Sequence, residues 1–298
     1  MQANQHSTQQ VQKLAVIGAG TMGTGIAIVA ARGGCKTFIF DHRAGLAERA
    51  IDQAKIFLDR SVNKGKMTVH ERDEIIDRMQ AVDQLDQLAD VDLVIEAVFE
   101  SLQVKHEVFQ ALNQVCKPSC LFASNTSTIS ITEIAGGSGR DDRFIGLHFC
   151  LPAQLMKLVE VSRGLNTSDE CFERAWTFCE QVGQRPVHTQ DTPGFVLNYF
   201  LIPFNNDAIR LVEQGVASPA DIDVAIKTAL GYAMGPFELL DLVGMDTQLL
   251  LCEAMHGLTH EKRAACPPLV KRMIAAGRLG KKTGIGFHRY SDQKIFGA

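Results

Sequence analysis

Residues 16–25 read VIGAGTMGTG, with glycines at positions 18, 20 and 23. The apolar run KLAVI precedes them and an alanine-rich helical pattern follows. A G-x-G-x-x-G stretch between a strand and a helix constrains the fold more than any other feature of the chain. Gly18 permits the tight turn, Gly20 lets the backbone approach a pyrophosphate, and Gly23 lets the helix pack closely on the strand. The helix N-terminus then offers N–H groups and a partial positive charge to an anion.

The following segments supply the alternation that such a loop needs. KTFIFD, VDLVIEAV, CLFASN, RFIGLHF and MKLVEVS are strand-like, and helical patterns intervene, among them an amphipathic one from about Ser101 to Val115. This predicts an α/β fold, a doubly wound parallel sheet with helices on its faces. Residues 42–80 read as two charged helices turning at NKGKM, a helical insertion between the second and third strands. After HTQDTPGF the pattern changes, and from Phe195 onward only helices are expected. One of them, SPADIDVAIKTALG, has Ser218 as N-cap, Pro219 at its first position and Asp221 in its first turn. The expected organisation is a disordered tail over residues 1–12, an α/β domain over 13–190 and an all-helical domain over 191–298.

Asp41 ends the second strand, roughly 20 residues beyond the glycine loop. A carboxylate there accepts both ribose hydroxyls of NAD and repels the 2′-phosphate of NADP, so NAD is the expected cofactor. Arg43, close by, softens that preference.

Several classes are excluded. The net charge is −4 and no dense Lys/Arg stripe appears, which argues against a nucleic-acid surface. No apolar run reaches the roughly 18–20 residues of a membrane span. MQANQHSTQQVQ has neither the apolar core of a secretory signal nor the arginines of a transit peptide, so a cytoplasmic protein is expected. The 8 cysteines form no CxxC pair and read as reduced thiols. HGLTH places His256 and His260 one helical turn apart, but glycine replaces the glutamate of H-E-x-x-H, and no metal is expected.

The stretch HFCLPAQLMKLVEV, residues 148–161, carries a glutamate inside an apolar run. A buried Glu160 asks for a partner, and His148 lies across a proline-containing turn. His148 also ends a strand, where ligands bind in open α/β sheets. An imidazole with a carboxylate on its second nitrogen suits removal of a proton from an alcohol. The alternative is a core histidine bonded to a backbone carbonyl, with Glu160 paired to a surface lysine.

VIGAGTMGTGIA, IEAVFESLQVK, FASNTSTI, LHF with MKLVEV, DTPGFVLN, GPFELLDLVG and LGKKTGIGF occur in this order. Over residues 13–290 the chain thereby resembles the short-chain L-3-hydroxyacyl-CoA dehydrogenases, a family that includes bacterial 3-hydroxybutyryl-CoA dehydrogenases. The resemblance implies a Rossmann-type NAD domain followed by a helical domain that forms a homodimer. The implied reaction is reversible NAD-dependent oxidation of an L-3-hydroxyacyl-CoA thioester, short-chain such as 3-hydroxybutyryl-CoA, in fatty-acid or butanoate metabolism. It makes His148 the base and Glu160 its partner, with Ser127 and Asn198 on the substrate oxygen. It puts NAD contacts at Asp41, Glu100, Lys105, Ser127 and Lys282, beside Gly18, Gly20, Met22, Gly23 and Ala97. Lys64 falls where the family holds CoA.

Each has a plainer reading: Ser127 as N-cap of a helix starting near Thr128, Asn198 as a solvated helix residue, Glu100 and Lys105 as a surface pair, and Lys64 as a solvated helix end. Two departures are visible. Leu151 stands where the family has an asparagine that contacts NAD, with Gln154 the nearest polar substitute, and His288 stands where it has a tyrosine. Dehydrogenases of free hydroxy acids, of the gulonate or carnitine type, and a catalytically silent NAD(H)-binding crystallin are the other readings of this architecture.

Overall fold

Parallel strands covered on both faces become continuously apolar, and Lys13–Ile17 (β1) is buried from Leu14 onward. The structure, a computed structural model, describes residues 10–290. After β1 come Thr21–Arg32 (α1), Lys36–Phe40 (β2), Leu46–Asn63 (α2), Val69–Asp77 (α3), Met79–Val82 (β3), Leu93–Glu96 (β4) and Leu102–Val115 (α4). Leu121–Ser124 (β5), Ile131–Gly136 (α5), Phe144–Phe149 (β6), Leu158–Arg163 (β7), Asp169–Gln181 (α6) and Arg185–Thr189 (β8) complete the first unit. The strands form one sheet in the order β3-β2-β1-β4-β5-β6-β7-β8. Every neighbouring pair is parallel except β6 with β7. The chain winds outward in one direction from β1 and in the other from β4, so the switch point lies between them, at the glycine loop.

The expected helical insertion forms, while the strand count and the tail need correction. The two charged helices α2 and α3 form, but they lead into β3, which pairs with β2. They are therefore the crossover between adjacent strands, and Ala47, Ala50, Ala54 and Leu58 bury one face of α2 in the core. Strands β3 and β8 were absent from the sequence reading; both are short edge strands with exposed positions, which weakens their apolar pattern. Residues 1–9 of the expected tail lie outside the described residues. Its last residues are not a tail: Val11 is buried, its N–H donates to Gln181 Oε1 and its carbonyl accepts from Gln181 Nε2, while the N–H groups of Gln12 and Lys13 donate to Asp92.

The chain divides into two compact units between Phe195 and Val196, beyond the boundary expected near residue 190. Asp191 anchors the segment just before this division. Its carboxylate accepts hydrogen bonds from Ser130 Oγ (2.8 Å), Ile131 N (2.7 Å), Thr132 N (2.9 Å) and Thr132 Oγ1 (2.7 Å), which ties the segment to the start of α5. The second unit holds Leu197–Glu213 (α7), Pro219–Leu230 (α8), Pro236–Val243 (α9), Met245–Thr259 (α10) and Pro268–Ala275 (α11). Ser218 caps α8 with its side chain, as its sequence predicts. Phe237, Leu240, Met245 and Val270 lie at the centre of this unit's core. Among the described residues its only strand-like pairings are the isolated bridges of Ile285 with Gly280 and Arg289.

Removing the Asp191 carboxylate leaves two helix-start N–H groups and two hydroxyls without their acceptor. Asp191→Ala should therefore lose about 2–3 kcal/mol of stability in urea unfolding, from lost capping and unsatisfied donors.

Candidate active site

His148 and Glu160 are directly opposed residues of the antiparallel β6–β7 pair. Opposed residues of such a pair project to the same face at close range. Here His148 Nδ1 is 2.7 Å from Glu160 Oε2, with Glu160 1% and His148 6% exposed. An ionised carboxylate only accepts hydrogen bonds, so Nδ1 faces it as the donor, and Nε2 lies on the other side of the ring. Ser127 Oγ lies 3.2 Å from that Nε2. The expected base, its carboxylate partner and the expected substrate-oxygen donor are thus brought into one chain of contacts. Ser127 caps no helix; α5 begins at Ile131, and its cap is Ser130. The Phe195 ring packs 5.5 Å from the imidazole, with Phe195 itself in the left-handed region at φ 48°. Cys150, next along, is no rival base: burial first, then the Glu160 charge, pushes its thiol up to about 11.

The glycine loop fits a dinucleotide. Gly18 has φ 104°, and a Cβ there would lie 2.6 Å from the Ala97 carbonyl oxygen, so the loops after β1 and β4 touch at the switch point. A Cβ on Gly23 would fall 1.8 Å from the Gly18 oxygen. A Cβ on Gly20 would meet nothing within 4 Å. That position faces open space at the start of α1, whose N-terminus has no side-chain cap and no acidic residue in its first turn. Such an end attracts the anionic pyrophosphate. Met22 lies in the same first turn. Asp41 accepts hydrogen bonds from Ala19 N (2.9 Å) and Arg43 N (3.0 Å). Burial pushes its carboxyl up, but those two N–H groups and the neighbouring His42 and Arg43 charges outweigh it and hold it below the usual range.

Lys105 and Glu100 are not a surface pair. Lys105 is 1% exposed, and its Nζ donates to Glu96 Oε1 and Oε2 at 2.7 and 2.9 Å and pairs with Glu100 Oε2 at 3.1 Å. Glu100 Oε1 accepts from Thr126 Oγ1 (2.6 Å), Ser127 N (2.9 Å) and Thr128 N (3.2 Å). Burial pushes the Glu100 carboxyl up, but the Lys105 ammonium and these donors leave it below the usual range. Glu96, fully buried at the end of β4, escaped the sequence reading. The signal was present, since a glutamate inside VDLVIEAV is the same anomaly as Glu160 in its apolar strand. Asn125 was also missed; its Oδ1 accepts from Phe149 N at 2.8 Å and pins the end of β6.

Other expected residues lie on other elements of the chain. Asn198 belongs to the second unit, on the first turn of α7, and is buried and not solvated. Lys282, in the same unit, pairs with Asp246 at 2.5 and 2.6 Å. Lys64 follows α2 and is exposed. Leu151 is 48% exposed just past β6. Gln154 turns its Oε1 toward Gly25 of α1, where the oxygen is buried without a hydrogen-bond partner. His288, in the tyrosine's place, has Nε2 2.7 Å from Asp223 Oδ2. No group of His, Cys, Asp and Glu among the described residues is arranged to hold a metal.

The two loop glycines should respond differently to an added methyl. Gly20→Ala should keep the thermal midpoint of the parent and weaken NADH binding, measured by fluorescence titration, by about tenfold or more through lost backbone approach. Gly23→Ala should lower the midpoint itself, because α1 must move off the Gly18 carbonyl.

Comparison with known proteins identifies the family. The family profile "3-hydroxyacyl-CoA dehydrogenase, NAD binding domain" matches residues 13–192, and "3-hydroxyacyl-CoA dehydrogenase, C-terminal domain" matches residues 194–290. A probable 3-hydroxybutyryl-CoA dehydrogenase of Bacillus subtilis is 41% identical over 95% of this chain and 99% of its own. The rat mitochondrial hydroxyacyl-coenzyme A dehydrogenase is 41% identical over 94% of this chain and 91% of its own. Among solved structures, (S)-3-hydroxybutyryl-CoA dehydrogenase PaaH1 from Ralstonia eutropha superposes with a TM-score of 0.88 at 35% identity, covering 95% of this chain and all (100%) of that one. The chain belongs to the 3-hydroxyacyl-CoA dehydrogenase family, with an NAD-binding domain followed by that family's C-terminal domain.

Proposed function

We propose that this chain oxidises short-chain L-3-hydroxyacyl-CoA thioesters, such as 3-hydroxybutyryl-CoA, to 3-oxoacyl-CoA with NAD, and runs the reverse reaction. The observation that carries this reading is the Ser127–His148–Glu160 chain, with Glu160 on Nδ1 of the imidazole and Ser127 on Nε2. NAD, when bound, supplies the hydride acceptor for C3. His148 Nε2 takes the proton of the C3 hydroxyl. Glu160 holds the tautomer and stabilises the imidazolium that results. Ser127 and Asn198 donate hydrogen bonds to the C3 oxygen as it becomes a carbonyl. Gly18, Gly20, Met22, Gly23, Asp41, Ala97, Glu100, Lys105 and Lys282 serve the dinucleotide, and Lys64 the CoA moiety.

In the same reading the first unit holds NAD, and the second shapes the substrate site and forms a homodimer. Tyr199, Phe200, Leu230, Tyr232 and Leu250 of the second unit are each more than half exposed, a large apolar surface for one chain to leave to water. All eight cysteines are free thiols, which supports a reducing cytoplasmic setting. Among the described residues no helix is long and apolar enough to cross a membrane.

Following NADH oxidation with acetoacetyl-CoA, His148→Gln should lower kcat by about 10²–10⁴, the usual contribution of a positioned acid–base group. A parent-like rate in that variant removes His148 from the mechanism. Across four- to ten-carbon thioesters, kcat/KM should be highest at the short end; equal turnover of the free hydroxy acids would sink the thioester assignment. Sedimentation should give twice the mass of one chain.

A further inference from the structure

Two routes of hydrogen bonds run from one buried carboxylate to the backbone that presents Ser127. On the first, Ser124 Oγ donates to Glu96 Oε2 at 2.6 Å and accepts from Thr126 N at 3.2 Å. On the second, Lys105 Nζ bridges Glu96 to Glu100, and Glu100 Oε1 accepts from Thr126 Oγ1, Ser127 N and Thr128 N. Both routes end on residues 126–128, whose middle member sets its hydroxyl 3.2 Å from His148 Nε2. Glu96 is 0% and Lys105 1% exposed. Val98 N also donates to Glu96 at 2.7 Å, so the carboxylate is fixed to the loop after its own strand.

We propose that Glu96 is a positioning residue for the dehydrogenase reaction, acting on Ser127 through Ser124 on one side and Lys105–Glu100 on the other. A lone ammonium or carboxylate this deeply buried is costly, so each charge here depends on the others for its position. Without the Glu96 charge, Lys105 has Glu100 as its single ion-pair partner. The pull on Glu100 then shifts the three donors it holds, and Ser127 with them. Glu96 itself does not touch the substrate; it acts only through the loop that carries Ser127. The inference rests on the proposed reaction; the direct route through Ser124 reaches Ser127 without passing through Lys105 and Glu100, which serve the dinucleotide.

The test is a double-mutant cycle read by acetoacetyl-CoA reduction. Glu96→Gln in the parent should lower kcat by about tenfold to a hundredfold, the cost of a small misplacement at the reacting atoms. KM for acetoacetyl-CoA should move by less than about threefold, the pattern of an interaction used in the transition state. In a Ser127→Ala background the same substitution should change kcat by less than about twofold, because the hydroxyl it positions is gone. Ser124→Ala, a neutral and smaller change that cuts only the direct route, should lower kcat by about two- to fivefold in the parent and not in the Ser127→Ala background. If Glu96→Gln fails to fold, the Ser124→Ala cycle decides. Equal losses in both backgrounds overturn the inference while leaving the reaction intact. A parent that reduces no 3-oxoacyl thioester overturns the reaction, and the inference with it.

Discussion

The pairing of β6 with β7 is the constraint on which the chemistry depends. Register in an antiparallel pair fixes which side chains oppose one another, and a slip of one residue sends a side chain to the other face. In this sheet the register sets His148 against Glu160. A slip would leave a carboxylate buried without its imidazole, which is costly, and the imidazole without the acceptor that fixes its tautomer. Apolar Leu147, Phe149, Val159 and Val161 alternate with the pair and pack into the core, so hydrophobic burial enforces the register that the chemistry needs. Asn125, from the loop after β5, holds the Phe149 N–H at the end of β6.

Parallel pairing gathers the remaining groups. Strands β1, β4, β5 and β6 are mutually parallel, so their carboxyl ends lie along one edge of the sheet. The glycine loop follows β1, Glu96 ends β4, Ser127 follows β5 and His148 lies near the end of β6. No long-range device is needed to assemble them. The switch point between β1 and β4 opens the crevice, and the Gly18–Ala97 contact shows how closely the two loops meet there.

What could be read in the sequence follows the strength of each local signal. The glycine loop, the fully buried strands and the lone glutamate of β7 violate or satisfy simple rules and were visible. So was Ser218, because helix caps depend on one side chain and a few following residues. The edge strands β3 and β8 were not, since one partner and partial exposure ask little of their side chains. The segment that closes the first unit carries little local signal, because its anchor is tertiary: Asp191 is tied to residues 130–132, about 60 positions back in the chain. Val11 reads as tail because its partner, Gln181, is farther still in sequence, 170 positions on.

Glu96 shows a different failure, one of reasoning and not of signal. Glu96 and Glu160 are each a lone carboxylate in an apolar strand. The physical case was identical, since burying either acid requires a cation or several donors. The two answers differ in kind. Glu160 takes an imidazole that can change its protonation state, so the pair can take up a proton. Glu96 takes a lysine with a second carboxylate beside it, plus a serine hydroxyl and a backbone N–H, a fully occupied set suited to holding geometry. Well-packed apolar residues often stabilise a core as well as such a cluster does. What they cannot do is aim hydrogen bonds at a chosen loop, and the loop these charges aim at is the one that carries Ser127.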